Sequence, residues 1–473
     1  MIRIGFLSFS DGRERVHKGL APGIAENAAK LRTALEKTGE IEVVPAEEII
    51  WRHSQAREQA RAVACRGVDG TIFNIPVFAF PNLARIAAVC GQPPYLAYSP
   101  AFGGLPGLGG MLAAAAGLEQ AGVPCARVYG SPDQAAILDR LLVFCRAAHA
   151  VNGLKGRVLG LIGGRSIGMV TGEAAPDLYY AAFGLDVDHF DQAEIVRRAG
   201  TVSEAKVENA FRWLSERARE IAFDGKKLTP DSLKKQIRAY YATRSIIEER
   251  QFDFAAVKCH YEMSEFESTQ CLSAAFFNDP YDWDGPKEPF VFACEADADG
   301  AVTMQILKLL SGLPAVFADL RHWDEKLGIL TLCNCGAIST WYARRSGLAE
   351  ENLKDVACVP IIPKYGGTGC HLRFAAAEGP MTFARLFRRS GRFHMTIFRG
   401  NVERFPEEKL EETCPAWPHL FVRPEAAADA LIAGLGSNHI HGLAGDWVDE
   451  LVTFCGMTGI AAELAGPAGR TAK

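Results

Sequence analysis

The 473-residue sequence predicts an α/β fold, with two doubly wound α/β modules followed by a mostly β module. Two observations predict it. From residue 2 to about 319, apolar runs of strand length alternate with amphipathic segments of helix length, the rhythm of parallel sheets covered by helices. Beyond that point the runs turn alternating, aromatic and β-branched between glycine-containing turns, which favours antiparallel strands. With 48% hydrophobic and 23% charged residues, the chain can bury several cores and lacks a disorder signature. We divide it at 1–152, 153–308 and 309–473.

The first module opens with a strand over 2–9, and Ser10, Asp11, Gly12 and Arg13 form a loop at its C-terminal end. The pattern then predicts a helix around 25–38, a strand near 41–44, a helix around 54–65 and a strand over 70–73. Arg13, a cation in a strand-end loop, is placed to meet a polar ligand or a neighbouring subunit; a solvated surface arginine is the plainer alternative. The Gly/Pro-rich stretch 91–110, which includes Gly103 and Gly104, is too irregular for a phosphate loop. It predicts a packed loop before a small-residue helix.

The second module begins near Lys155 with a strand over 156–162, followed by Gly163, Gly164, Arg165, Ser166, Ile167 and Gly168. A glycine-rich turn after a strand invites a nucleotide-binding reading. The spacing is not GxGxxG and no GK[ST] follows, so close passage of backbone past backbone is preferred. Asp186, Asp188 and Asp191 line a further strand and turn, and 205–250 is a long helical region whose charge runs read as solvated faces. A strand over 254–258 ends at Lys258, with His260 close behind.

The module closes with the segment around which the chain is organised. A short apolar run over 289–294 ends at Glu295. The apolar positions Val302, Ile306, Leu309 and Leu310 then recur at helical spacing until Gly312 and Pro314 stop the helix, and a second apolar run, 315–318, ends at Asp319. Read as two adjacent parallel strands joined by a crossover helix, the segment delivers both carboxylates to one sheet edge, where ligands bind in such sheets. The alternative is that both acids cap helices or turns. In the third module, 381–386 and 393–398 read as antiparallel strands. Near its end Asn438, His439 and His441 stand in a Gly-flanked loop before an amphipathic helix at about 446–455. A His-x-His pair is a plausible metal-ligand source, imidazole being a common ligand, with a structural role as the alternative.

Several classes are excluded. A formal net charge of −5 gives no reason to expect nucleic acid. Thirteen cysteines without a CxxC pair suit buried reduced thiols rather than a disulfide framework or zinc site. The N-terminus lacks the apolar core of a signal peptide and no apolar run approaches a membrane span, so the expectation is a soluble, cytoplasmic protein without a membrane partner.

These residues together resemble the L-fucose isomerase family, related to the L-arabinose isomerases. The resemblance is carried by Tyr281, Asp282, Trp283, Asp284, Gly285 and Pro286 leading to Glu295, by Val316 through Arg321, by the turn Asn334, Cys335 and Gly336, by 154–169, and by Asn438 with His439. It implies two Rossmann-like α/β domains and a barrel-like C-terminal domain. It also implies a manganese-dependent aldose–ketose isomerase, with Co2+ or Mg2+ as other candidate ions, whose ligands are Glu295, Asp319 and His439. Glu295 and Asp319 would manage protons on a cis-enediol. Family members form homohexamers whose active sites are completed by a neighbour's N-terminal domain, which gives Arg13 a role in trans. The substrate-contact set that accompanies this reading is Arg13, Lys258, His260, Trp417, Asn438 and His441.

The sequence departs from the family pattern where the sugar is read. Lys258 stands at a strand end where the fucose enzymes carry a glutamine, and a tyrosine of their Gly-rich loop is replaced around Gly369, Cys370 and His371. Lys258 could read an anionic sugar, sulfonated or phosphorylated, or pair with nearby acids. The competing classes are a non-catalytic sugar-binding protein and a metal-dependent lyase or aldolase.

Overall fold

The computed structural model describes residues 1–101 and 105–466, so Gly103 and Gly104 lie outside the described residues. The described residues form two compact units: those of 1–153 with 449–458, and 154–448 with 459–466.

In the first unit five parallel strands lie in the order Ile41–Pro45, Ile2–Ser8, Gly70–Asn74, Tyr95–Ser99, Cys125–Tyr129. This 2-1-3-4-5 order is the flavodoxin-like form of the doubly wound sheet. Alternation along the first strand feeds two cores. Leu7 packs with the helices His53–Ala64, Pro81–Cys90 and Gly107–Glu119, while Ile4 and Phe6 pack with Glu14–Glu36 and Ala135–Leu154. The strand keeps Gly5 because a Cβ there would come within 2.7 Å of Val63 Cγ1. The first helix starts at Glu14, not near residue 25 as the sequence suggests. Pro22 and Gly23 look like a boundary, but the helix runs through them. The helix Val448–Thr458 places Met457 against the second of these cores, and Glu450 accepts from Arg146 at 3.0 Å.

The second unit holds a four-stranded parallel sheet in the order Phe292–Ala293, Phe254–Val257, Val158–Ile162, Asp186–Phe190. The helical region expected over 205–250 is two helices, Glu204–Arg217 and Pro230–Arg250, separated by the short strand Glu220–Ile221. After the glycine-rich turn, a Cβ on Gly163 would lie 2.7 Å from Lys258 Cβ, so that glycine serves close packing.

A mostly antiparallel sheet completes this unit. Gly379–Arg389, His439–Ala444, Val316–Asp324, Ile329–Cys333, His419–Pro424 and Arg392–Glu403 pair in succession, and the last pairs back with the first. The ring is therefore a closed six-stranded barrel, with Ala461–Ala465 added alongside Arg392–Glu403. The helix Ala298–Ser311 touches strands of both the parallel sheet and the barrel. That double contact explains why almost every residue from Ala298 to Leu307 is buried, on all sides of the helix.

This arrangement corrects the expected origin of the two acids. Glu295 follows a strand of the parallel sheet, whereas Asp319 lies within the barrel strand Val316–Asp324, antiparallel to both of its neighbours. Because that strand runs five residues past Asp319, the acid is not at a strand end. The two acids meet through the packing of two sheets, not as neighbours on one edge.

Candidate active site

Glu295 follows the strand Phe292–Ala293 in a turn where it adopts φ 57°, ψ 21°, and Ala296 follows at φ 50°. Two successive non-glycine residues in the left-handed region cost of order 1–3 kcal/mol each, a distortion that collects at functional sites. The turn ends the strand abruptly and sends the Glu295 carboxylate toward the barrel. There Asp319 and His439 stand directly opposite each other on antiparallel strands, a pairing that holds Cβ atoms about 5 Å apart.

His439 Nε2 lies 3.5 Å from Glu295 Oε2 and 3.5 Å from Asp319 Oδ1. It is buried and makes no hydrogen bond. Its other nitrogen, Nδ1, meets Asp297 Oδ2 at 2.7 Å. Asp297 also caps the helix Ala298–Ser311, accepting from Gly300 N at 2.8 Å, and pairs with the fully buried Arg385. Arg385 in turn reaches Thr171 O at 2.8 Å and His441 Nε2 at 3.1 Å. Burial alone would raise the Asp297 carboxyl, but Arg385 and His439 outweigh it and hold the group well below the usual carboxylate range. Burial alone would depress His439; the Asp297 hydrogen bond and the nearby Glu295 and Asp319 push it instead up to about 10. Asp319 is raised chiefly by burial, against the opposing charge of His439 and with Glu295 adding to the rise. Its oxygens are fixed by two side-chain amides, Asn438 Nδ2 at 2.9 Å and Asn334 Nδ2 at 3.3 Å.

Glu295, Asp319 and Asn438 open onto a pocket of about 360 Å³ whose wall also includes His260, Arg321, Asn334, Lys364, Tyr365 and Trp417. His260 is oriented from both ends, by Ser264 Oγ at 3.1 Å and Tyr365 Oη at 2.9 Å. A larger open concavity of about 480 Å³ lies on the helices near Arg198 and Arg244. Those cations are already paired with Glu194 and Glu249, and with Glu248 and Asp284, so it reads as solvated surface.

Of the residues singled out from sequence, the structure brings together Glu295, Asp319, His439, Asn438, His260 and Trp417. Lys258 stands off the pocket wall, its Nζ paired with Glu262 at 2.7 Å. His441 is wholly buried behind the site, against Phe317 and Arg385. Arg13 belongs to the first unit, where it is exposed and paired with Asp11 at 2.7 Å. Sequence reasoning missed Asp297, Asn334, Arg321, Lys364, Tyr365 and Arg385 as site residues. Arg385 carried a signal, since a charge in the middle of the apolar run Met381 to Phe387 must be buried with a partner.

Among the described residues, no group of three or more His, Cys, Asp or Glu side chains is already arranged to hold a metal ion. The donors here are instead an open set. Two carboxylate oxygens and an orphaned imidazole nitrogen face one another, and the imidazole is held from behind by a carboxylate, as ligating histidines usually are. Those residues fit a divalent cation that retains open positions.

The sequence matches two family models, the first N-terminal domain of L-fucose isomerase over residues 1–156 and its C-terminal domain over 332–464. L-Fucose isomerases of Streptococcus pneumoniae strains Hungary19A-6 and TIGR4 are each 24% identical to it over 438 residues, covering 76% of this chain and 74% of theirs. That of strain CGSP14 is 24% identical over 437 residues with the same coverage. The chain belongs to the L-fucose isomerase family and is an aldose–ketose isomerase.

Proposed function

We propose that this chain interconverts an aldose and a ketose through a cis-enediol, with manganese held by Glu295, Asp319 and His439. The observation that carries the reading is the His439 Nε2 atom, buried and without a hydrogen bond, facing two carboxylates while Asp297 fixes its other face. When bound, the ion supplies positive charge to the two adjacent sugar oxygens on which negative charge develops. Two hard oxygen donors with one imidazole and open positions suit manganese better than structural zinc.

The chain's own residues manage the protons. One carboxylate of the pair takes the proton from the sugar's second carbon as the carbonyl oxygen gains one, which forms the enediol. Loss of the second oxygen's proton and delivery of a proton to the first carbon completes the ketose, and no other reactant is consumed. Asp319, raised by burial and clamped by Asn334 and Asn438, is suited to carry a proton without moving. His260, held from two sides, and Trp417 bound the sugar's path in the pocket. The division into domains 1–152, 153–308 and 309–473, a homohexamer and a contribution of Arg13 to a neighbouring subunit's site belong to the same proposal. No helix among the described residues is long and apolar enough to cross a membrane.

The test is a panel of neutral and anionic aldoses and ketoses incubated with manganese, analysed for interconversion and for solvent deuterium at the second carbon. Interconversion with deuterium incorporation is expected for at least one pair. Cleavage products instead of an isomer would replace the isomerase mechanism by a lyase or aldolase.

A further inference from the structure

The pocket is chemically lopsided. Glu295, Asp319 and Asn438 cluster on its wall around His439 Nε2 and the Asp319 carboxylate. Elsewhere on its wall, two cations flank one ring: the Arg321 guanidinium carbon lies 5.3 Å and Lys364 Nζ 5.8 Å from the centre of Trp417. Lys364 Nζ is also 5.2 Å from the Tyr365 ring. Neither cation is paired with a carboxylate among the described residues. Arg321 donates to the Cys414 sulfur at 3.6 Å, a weak acceptor. The remaining acid of the wall, Glu265, is occupied by the backbone N–H of Gly366 at 3.0 Å. Lys258, by contrast, is already neutralised by Glu262.

The spacing fits a sugar. Arg321 lies two residues beyond Asp319 on the same strand, about 7 Å along it, and both line the pocket despite the bulge between Leu320 and His322. An extended six-carbon chain spans about 6 Å, five C–C bonds of about 1.5 Å each. A sugar whose first two carbons meet Glu295 and Asp319 is therefore long enough to extend along that strand as far as Arg321. Both cations are exposed, so a hydroxyl there would meet them only through ordinary hydrogen bonds, whereas a phosphate or sulfonate engages both through charge-assisted ones.

We propose that the substrate carries an anionic group, a phosphate or a sulfonate, at the carbon remote from its carbonyl, and that Arg321 and Lys364 on Trp417 bind that group. The inference rests on the isomerase reading of the site. Hexitols cannot isomerise, so they report recognition apart from turnover. Sorbitol and mannitol, each uncharged, 6-phosphorylated and 6-sulfonated, are titrated calorimetrically into the full-length protein with manganese present. At least one charged hexitol is expected to bind about tenfold or more tightly than its uncharged counterpart. That ratio should collapse in Lys364→Met and in Arg321→Met, and persist in Lys364→Arg. The phosphate and sulfonate arms identify which anion is preferred. The proposal is overturned if no charged hexitol binds more tightly than its uncharged counterpart, or if both methionine variants keep the wild-type ratio. Failure of the isomerase reading shows separately, as absence of deuterium exchange with every reducing sugar, and leaves the hexitol ratio readable.

Discussion

His439 and His441 stand two residues apart on one barrel strand, are equally buried, and touch opposite ends of the same Asp297–Arg385 ion pair. Their chemistry is opposite. Burial depresses both. At His441 the adjacent guanidinium adds to that effect, so the ring stays neutral and accepts from Arg385. At His439 the Asp297 carboxylate, with Glu295 and Asp319 beyond it, reverses the effect. The two rings of a His-x-His sequence can therefore shift in opposite directions, and the sign of the nearest buried charge decides which way each goes.

The comparison can be broken most directly at the carboxylate side. Glu295→Gln and Asp319→Asn should each lower kcat by about 10²–10⁴-fold while the purified protein stays folded, as seen by circular dichroism. An active Glu295→Gln would remove that carboxylate from proton transfer. His439→Ala should lose bound manganese by elemental analysis, whereas His441→Gln should keep it. Equal loss from both would erase the distinction between the two rings.

Asp297→Asn tests the shared ion pair. Leaving Arg385 buried beside a neutral amide should cost about 3–5 kcal/mol of stability in urea unfolding. It should also weaken metal affinity about 10–100-fold by loosening the His439 ring. A variant that kept wild-type metal affinity would show that Asp297 serves folding alone. His441→Gln is expected to cost less, about 1–3 kcal/mol, because it disturbs one hydrogen bond to Arg385.

The smallest effect concerns buried histidines that, like His441, have no carboxylate to reverse the burial effect. His371 and His419 are both held down to about 4, chiefly by burial. Between the ordinary histidine value of about 6.5 and 4, the unfolded chain binds these protons and the folded chain does not. These two groups therefore lower stability as pH falls through that window, each by at most about 1.4 kcal/mol per pH unit, against the opposite pull of Asp279 and Asp299, which burial raises to about 6. His419→Gln, whose ring otherwise meets Trp417 O at 2.8 Å and Thr413 Oγ1 at 2.6 Å, should flatten the slope. Urea midpoints at pH 7 and pH 5 measure it, and an unchanged slope would show that His419 does not drive it.

Much of the local structure was legible from sequence. The strands at 41–45, 70–74 and 254–257, the hairpin of Gly379–Arg389 with Arg392–Glu403, the helix stop at Gly312 and the helix after the His-x-His pair all follow from periodicity and turn residues, although the pair itself lies on the strand His439–Ala444 and not in the expected loop. These are short-range properties, decided within a turn or two of the chain. So is the choice of Glu295, Asp319 and His439 as chemical candidates, since residue type and flanking pattern travel with the sequence.

What only the tertiary structure decided is where those groups point and what they touch. Asp319 faces His439 across a register set 120 positions later in the chain, and the packing of the parallel sheet against the barrel, not a shared parallel edge, brings Glu295 to them. Lys258, which the sequence left open between reading an anionic sugar and pairing with acids, pairs with Glu262, while Arg321 and Lys364 became pocket residues through Trp417, from a separate loop. Burial and ion pairing are properties of surfaces brought together from distant segments, and no local pattern encodes which partner a buried charge will find.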